Sequence, residues 1–121
     1  LFLEAIQELE KNIGKIYCIE DYLYSDEFGV AGAVDMIAEW DGKLSVVDFK
    51  TSNSAKKEEW IEDYYIQLAA YAMAHDALYK TKMEAGVILM ASRGMTLQMF
   101  TINGQRLDDY KYKWLNMFIC L

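Results

Sequence analysis

Two aspartates and a lysine in the stretch Gly32–Ser52 (GAVDMIAEWDGKLSVVDFKTS) are the residues whose types and spacing could do chemistry. Asp41-Gly42 separates two runs of strand formers. Asp-Gly between alternating apolar residues predicts a tight type I′ hairpin, because Gly accepts the positive φ that the turn needs. With Trp40 opposite Lys43, counting outwards sets Asp35 opposite Asp48. Side chains that face each other across an antiparallel pair lie roughly 5 Å apart at Cβ, and like charges there repel. Two such carboxylates need a strongly raised pKa or a cation between them. Hard divalent cations take carboxylate oxygens. Lys50 is two residues past Asp48 and so shares its face. Asp35, Asp48 and Lys50 together have the layout of a metal-dependent hydrolytic site. The same residues also fit a solvated polar face on an antiparallel hairpin. The pairing holds only in this register, since a one-residue slip moves every side chain to the other face.

The elements that must position these groups can be read in order. Leu1–Ile13 has apolar residues near helical period and Gly14 as a stop, which predicts a helix. Lys15–Tyr24 is rich in strand formers, and Ser25–Gly29 reads as a turn. Val30–Trp40 and Lys43–Lys50 are the hairpin strands. In the first, Val34, Met36, Ala38 and Trp40 alternate with Asp35, Ile37 and Glu39, so both faces carry apolar residues and the hairpin is expected to be central. Gly32, just before Asp35, allows close approach of a backbone or ligand, or marks a bulge. Thr51–Lys57 is a polar loop in which Asn53 or Ser54 would cap the next helix, and Lys56 and Lys57 are candidates to touch phosphate. Glu58–Lys80 is the clearest helix, with acids leading and Trp60, Tyr64, Leu68 and Tyr71 on an apolar side. Gln67 and Tyr71 are one turn apart on one face. His75, one turn further, reads as structural or surface. Lys82–Ala91 and Met95–Ile102 are expected strands, and Arg106–Leu121 a closing helix. The expected order is α-β-β-β-α-β-β-α: an α/β fold with a mixed five-stranded sheet flanked by helices.

Gly32-x-x-Asp35, Asp48-Phe49-Lys50-Thr51-Ser52 and Gln67-x-x-x-Tyr71 resemble the motifs of the RecB-like branch of the PD-(D/E)XK nuclease superfamily. Within it the likeness is to the mitochondrial genome maintenance exonucleases and their phage and bacterial relatives. The match runs from about Ile16 to the chain end. The resemblance implies a restriction-endonuclease-like core and a single nuclease-like domain over 1–121. It implies that Asp35, Asp48 and the backbone carbonyl of Phe49 hold Mg²⁺ or Mn²⁺, with Lys50 beside them. Gln67, Tyr71, Gly32, Thr51 and Ser52 would support the site or contact substrate. Glu20, where relatives often carry a Glu, would either support the site or be a surface residue. The family's further His or Glu ligand on an upstream helix has no clear match, although Glu4 and Glu8 are candidates. DNA, acted on at single-stranded ends or flaps, is the implied partner, and a larger helicase-nuclease is an alternative context. The implied setting is intracellular: a bacterial or phage-infected cytoplasm, or a mitochondrion.

Composition limits these readings. The chain has 121 residues and 54% hydrophobic content, enough for one domain with a modest core. No apolar run reaches the roughly 20 residues that a membrane-spanning helix needs. The first residue is Leu and the opening already reads as helix, so the chain is expected to be an N-terminally trimmed domain. Two cysteines, Cys18 and Cys120, form no metal pattern and read as free thiols. The net charge of −7 argues against extensive nonspecific binding to phosphates. An inactive nuclease-like binding module and a plain α/β interaction domain are the competing functional classes.

Overall fold

The computed structural model describes residue 7, residues 11–53, 56–93 and 97–119. Its strands are β1 (Ile13–Ser25), β2 (Val30–Trp40), β3 (Lys43–Ser52), β4 (Ala85–Ser92) and β5 (Leu97–Asn103). They form one mixed sheet in sequence order. β1–β2, β2–β3 and β4–β5 are antiparallel, and β3–β4 is parallel. A parallel neighbour needs a crossover, and helix α1 (Glu62–Tyr79) supplies it. Helix α2 (Gly104–Ile119) closes the chain.

The Asp-Gly turn forms as its chemistry dictates. Asp41 and Gly42 both take positive φ, 51° and 78°, as a type I′ turn requires. Asn12 holds the turn from outside: its side-chain amide donates to Asp41 Oδ1 at 2.8 Å, and its carbonyl accepts the Asp41 N–H at 2.9 Å. The β2–β3 register is therefore Trp40↔Lys43 through Met36↔Val47, as expected.

Two apolar clusters lie on the two faces of the sheet. One gathers Ile37, Val46, Ile88, Met90 and Ile102 with Tyr65, Leu68, Ala69 and Ala72 of α1 and Leu107 of α2. The other gathers Met36, Ala38, Trp40, Val47, Val87 and Leu89. Val34 departs from the expected alternation, because it joins the α1 cluster together with Ile37. An irregularity lies next door. Glu20, in register with Asp35 across β1–β2, has φ 55°, so the pleat is broken at that level.

Several expected boundaries shift. Of the helix expected at Leu1–Ile13, the described residues Gln7, Lys11 and Asn12 are helical, and the other positions before Ile13 lie outside the described residues. Ile13 and Gly14 belong to β1, so Gly14 is not a helix stop. The helix expected from Glu58 is interrupted: Glu58–Trp60 is a 3₁₀ turn, Ile61 has φ −114°, and α1 begins only at Glu62. Asn53 is thus too far away to cap it, and Ser54 lies outside the described residues. β4 starts at Ala85 rather than Lys82. Residues 80–84 instead form a tight exit from α1. Lys80 is left-handed, and Asp76 Oδ1 accepts both the Met83 N–H and the Thr81 hydroxyl at 2.8 Å. His75 is buried and its Nδ1 lies 2.7 Å from Thr81 Oγ1, which bears out a structural role.

α2 is fixed to the rest by side chains far apart in sequence. Trp114 donates its indole N–H to the Phe28 carbonyl at 2.7 Å. Arg106 pairs with Glu58 and Lys113 with Glu62. Tyr110 packs against Tyr65, with ring centroids 5.3 Å apart. Burial raises the Tyr65 hydroxyl to about 12, assisted by Glu58.

Candidate active site

The β2–β3 ladder ends at Met36↔Val47, one step short of Asp35 and Asp48. There a side chain takes over from the backbone. The Phe49 N–H, which would otherwise bond to a neighbouring strand, donates to Asp35 Oδ2 at 2.7 Å. This bond holds the Asp35 carboxylate against the start of Asp48-Phe49-Lys50. The Asp35 carboxyl is near enough to Asp48 to contribute to a large upward shift of its pKa. Burial first, then the Asp35 carboxyl, pushes Asp48 up to about 6 against the opposing pull of Lys50. The repulsion expected from the sequence is therefore present in the fold.

Lys50 closes the other side. Its Nζ lies 2.9 Å from Asp48 Oδ2, and both side chains are largely shielded. Burial alone would lower the lysine pKa, but the hydrogen bond and charge of Asp48, with Tyr64 and Asp35, outweigh it, so the net shift is upward. Lys50 is an ammonium held between a carboxylate and the ring of Tyr64, whose centroid is 4.8 Å from Nζ. A lysine on a strand can be fixed so firmly because it has partners on two elements at once.

α1 lays its Tyr64, Gln67 and Tyr71 side over this hairpin. A Cβ on Gly32 would come within 2.4 Å of the Tyr71 hydroxyl oxygen, so the missing side chain is what lets Tyr71 rest on β2. Gly32 pairs with Leu23 in continuous register, so it is a point of close approach and not a bulge. Gln67 Nε2 reaches the Tyr71 hydroxyl at 3.4 Å, a long bond. Gly32 and Tyr71 are thus brought together, with Gln67 beside them.

The remaining expected residues are less close. Glu20 is exposed on β1, with its left-handed backbone, at the level of Asp35. Thr51, like Phe49, is exposed and alternates to the opposite side of β3 from Lys50. Ser52 sits where β3 ends against β4, and its carbonyl accepts the Arg93 N–H at 3.2 Å. Tyr64 is the site residue that sequence reasoning misses. Helical spacing groups it with the apolar contacts of α1, yet it is exposed and lies against Lys50. Its spacing of three from Gln67 is the available signal.

The donor set suits a hard divalent cation in kind but not in number. Asp35 and Asp48 are neighbouring carboxylates, an arrangement that a cation would relieve. An extended residue sends its N–H and C=O to the same side, so the Phe49 carbonyl leaves the backbone on the Asp35 side. Among the described residues no three His, Cys, Asp or Glu side chains converge as a metal-binding group. Glu4 and Glu8 lie outside the described residues.

Comparison with known proteins gives the family. Residues 2–111 match the family model of the PD-(D/E)XK nuclease superfamily. The chain belongs to that superfamily. Its relatives include the mitochondrial genome maintenance exonuclease 1 of Homo sapiens, 28% identical over 94% of this chain, and that of Mus musculus, 30% identical over the same share. The chain spans 34% and 35% of the length of those two proteins. An ATP-dependent helicase/nuclease protein of Ligilactobacillus salivarius is 26% identical over 69% of the chain, which covers 7% of that protein. Among solved structures, SSO0001 aligns with a TM-score of 0.52 at 18% identity over 95% of the chain, which covers 56% of it. A Eubacterium rectale protein aligns with a TM-score of 0.53 at 13% identity over 96% of the chain, which covers 46% of it. These two likenesses concern the fold, a mixed sheet flanked by helices as expected. The superfamily's nucleic-acid hydrolysis is consistent with the acid-acid-lysine group, and no helix among the described residues is long and apolar enough to cross a membrane.

Proposed function

We propose that this chain carries the hydrolytic site of a divalent-metal-dependent deoxyribonuclease acting on single-stranded ends or flaps. The observation that carries the reading is the Phe49 N–H bond that fixes Asp35 against the start of Asp48-Phe49-Lys50, with Lys50 Nζ 2.9 Å from Asp48 Oδ2. Asp35, Asp48 and the Phe49 carbonyl would hold Mg²⁺ or Mn²⁺. When bound, such an ion polarises a phosphodiester and lowers the pKa of a water at the site.

The protein's own groups do the rest. The Phe49 N–H keeps Asp35 oriented through one oxygen, Oδ2. Lys50 is a proton-bearing ammonium in this environment, which suits stabilising negative charge on the reacting phosphate better than removing a proton from water. Gln67, Tyr71 and Tyr64 shape the wall on the α1 side and would orient the substrate strand. Gly32 gives Tyr71 its room, Ser52 and Thr51 end the catalytic strand, and Glu20, at the level of Asp35 on β1, would act only from outside the group. The exonuclease character and the preference for single strands rest on the named relatives. The helicase/nuclease relative supports a second context, in which this site works as part of a larger protein.

The test is cleavage of end-labelled single-stranded DNA with Mg²⁺ or Mn²⁺, alongside Asp48→Ala and Lys50→Ala. The wild type should cleave only with metal. Lys50→Ala should lose about 10²–10⁴-fold in rate, and Asp48→Ala should lose cleavage altogether. Equal rates in wild type and both variants would sink the assignment. Cleavage that appears only with added partner protein would favour the larger-complex reading.

A further inference from the structure

We propose that the exposed ring of Trp60, with Lys57 beside it, is a stacking site for an unpaired nucleobase of the strand being cut. The inference rests on the nuclease reading and identifies what else on the strand the chain would grip. Trp60 is 61% exposed, so its ring is accessible to a ligand. It stands on the 3₁₀ turn that follows the catalytic strand, four residues before Tyr64, the ring that holds Lys50. Trp60 thus lies on the segment that joins the catalytic strand to the helix carrying Tyr64.

The turn that carries it is firmly held. The Trp60 N–H donates to the Lys57 carbonyl at 2.9 Å. Gln98 of β5 grips the Lys56 backbone from both sides, accepting its N–H and donating to its carbonyl, each at 2.8 Å. A surface ordered before binding loses little entropy when a ligand arrives.

Lys57 Nζ lies 5.3 Å from the centre of the indole. A base stacked on an indole outweighs an exposed cation–π contact. The incoming base would therefore displace the ammonium, leaving it free to pair with the adjoining phosphate. The overall charge gives this arrangement its importance. With a net charge of −7, the chain has little general attraction for a polyanion. Stacking works on any base and needs no positive field, and it is available only where the bases are unpaired.

The test is binding of a labelled oligothymidylate to the whole chain, followed by anisotropy with Ca²⁺ replacing Mg²⁺ to suppress cleavage. Trp60→Ala should weaken binding about tenfold, and Trp60→Phe should recover most of it. Placing one abasic residue at successive positions should reveal a position that weakens wild-type binding by a similar factor and leaves Trp60→Ala unaffected. Lys57→Ala should lower the slope of log affinity against log salt by about one, whereas Trp60→Ala should leave that slope unchanged. Wild-type affinity in Trp60→Ala, equal abasic losses in both proteins, or no binding by the wild type would each overturn the proposal. Cleavage that persists without dependence on Trp60 would retain the nuclease and sink the stacking site. Trp60-dependent binding without metal-dependent cleavage would do the reverse.

Discussion

Replacing Asp35 with asparagine should make the chain more stable at pH 7.5 while ending the proposed cleavage of DNA. Asp48 has a pKa of about 6 in the folded chain, above its ordinary value of 3.8. Between those values the folded state binds more protons than the unfolded one, so stability falls as pH rises. The stability linked to the protonated group is fully present below about pH 4 and is lost as pH climbs through 6. Two pKa units set a ceiling of roughly 3 kcal/mol. Burial, which the substitution leaves alone, holds the largest share, and Lys50 and solvent screen the remainder, leaving about 1 kcal/mol for Asp35. The amide introduced by Asp35→Asn would still accept the Phe49 N–H through its carbonyl and would donate to Asp48 through its NH₂ group. The expected gain in Tm is about 3–5 °C for a chain of this size. Thermal melts without metal, at pH 7.5 and pH 5, measure it. The gap between variant and wild type should narrow at pH 5, and Mg²⁺ should raise the Tm of the wild type alone. A variant that melts below wild type at pH 7.5, or by the same gap at both pH values, would refute the reasoning.

Gly32→Ala should lower stability by about 1–2 kcal/mol in urea denaturation, because the new methyl meets the Tyr71 hydroxyl and ring. Adding Tyr71→Ala should cost less than the sum of the two single changes, and strict additivity would show that the contact is not the cause. Asp76→Ala should lower the urea midpoint by the equivalent of about 2 kcal/mol, since the Met83 N–H and the Thr81 hydroxyl lose one shared acceptor. An unchanged midpoint would mean that water replaces the carboxylate there.

The hairpin is legible because its information is local. Asp41-Gly42 dictates the turn, the turn dictates register, and register places Asp35 against Asp48. The alternation of Val46, Val47 and their neighbours reports a strand buried on both faces. What escapes the sequence is decided by contacts between elements. Nothing in Glu58–Ile61 forbids an α-helix, yet the chain takes a 3₁₀ turn there, with Arg106 of the last helix pairing to Glu58. Tyr64 and Trp60 read as core because aromatic residues at helical spacing usually are; their exposure depends on where Lys50 and Lys57 lie. The face change at Val34 has its partner in Glu20, a residue that shows no turn chemistry in the sequence. Gly32 offers two readings, and only the position of Tyr71 separates them.

Asp35, Asp48 and Lys50 fall within one hairpin, so their mutual distances depend on a single turn and a few rungs of backbone pairing. Sheet edges, helix lengths and surface residues can drift without moving these three side chains relative to one another. A scaffold wired in this way tolerates extensive rewriting of its periphery, and two folds as alike as this chain and the Eubacterium rectale protein can share only 13% of their residues. The helix that covers the hairpin is the part free to change what is gripped, because it touches the chemistry through side chains and not through the strands that hold it.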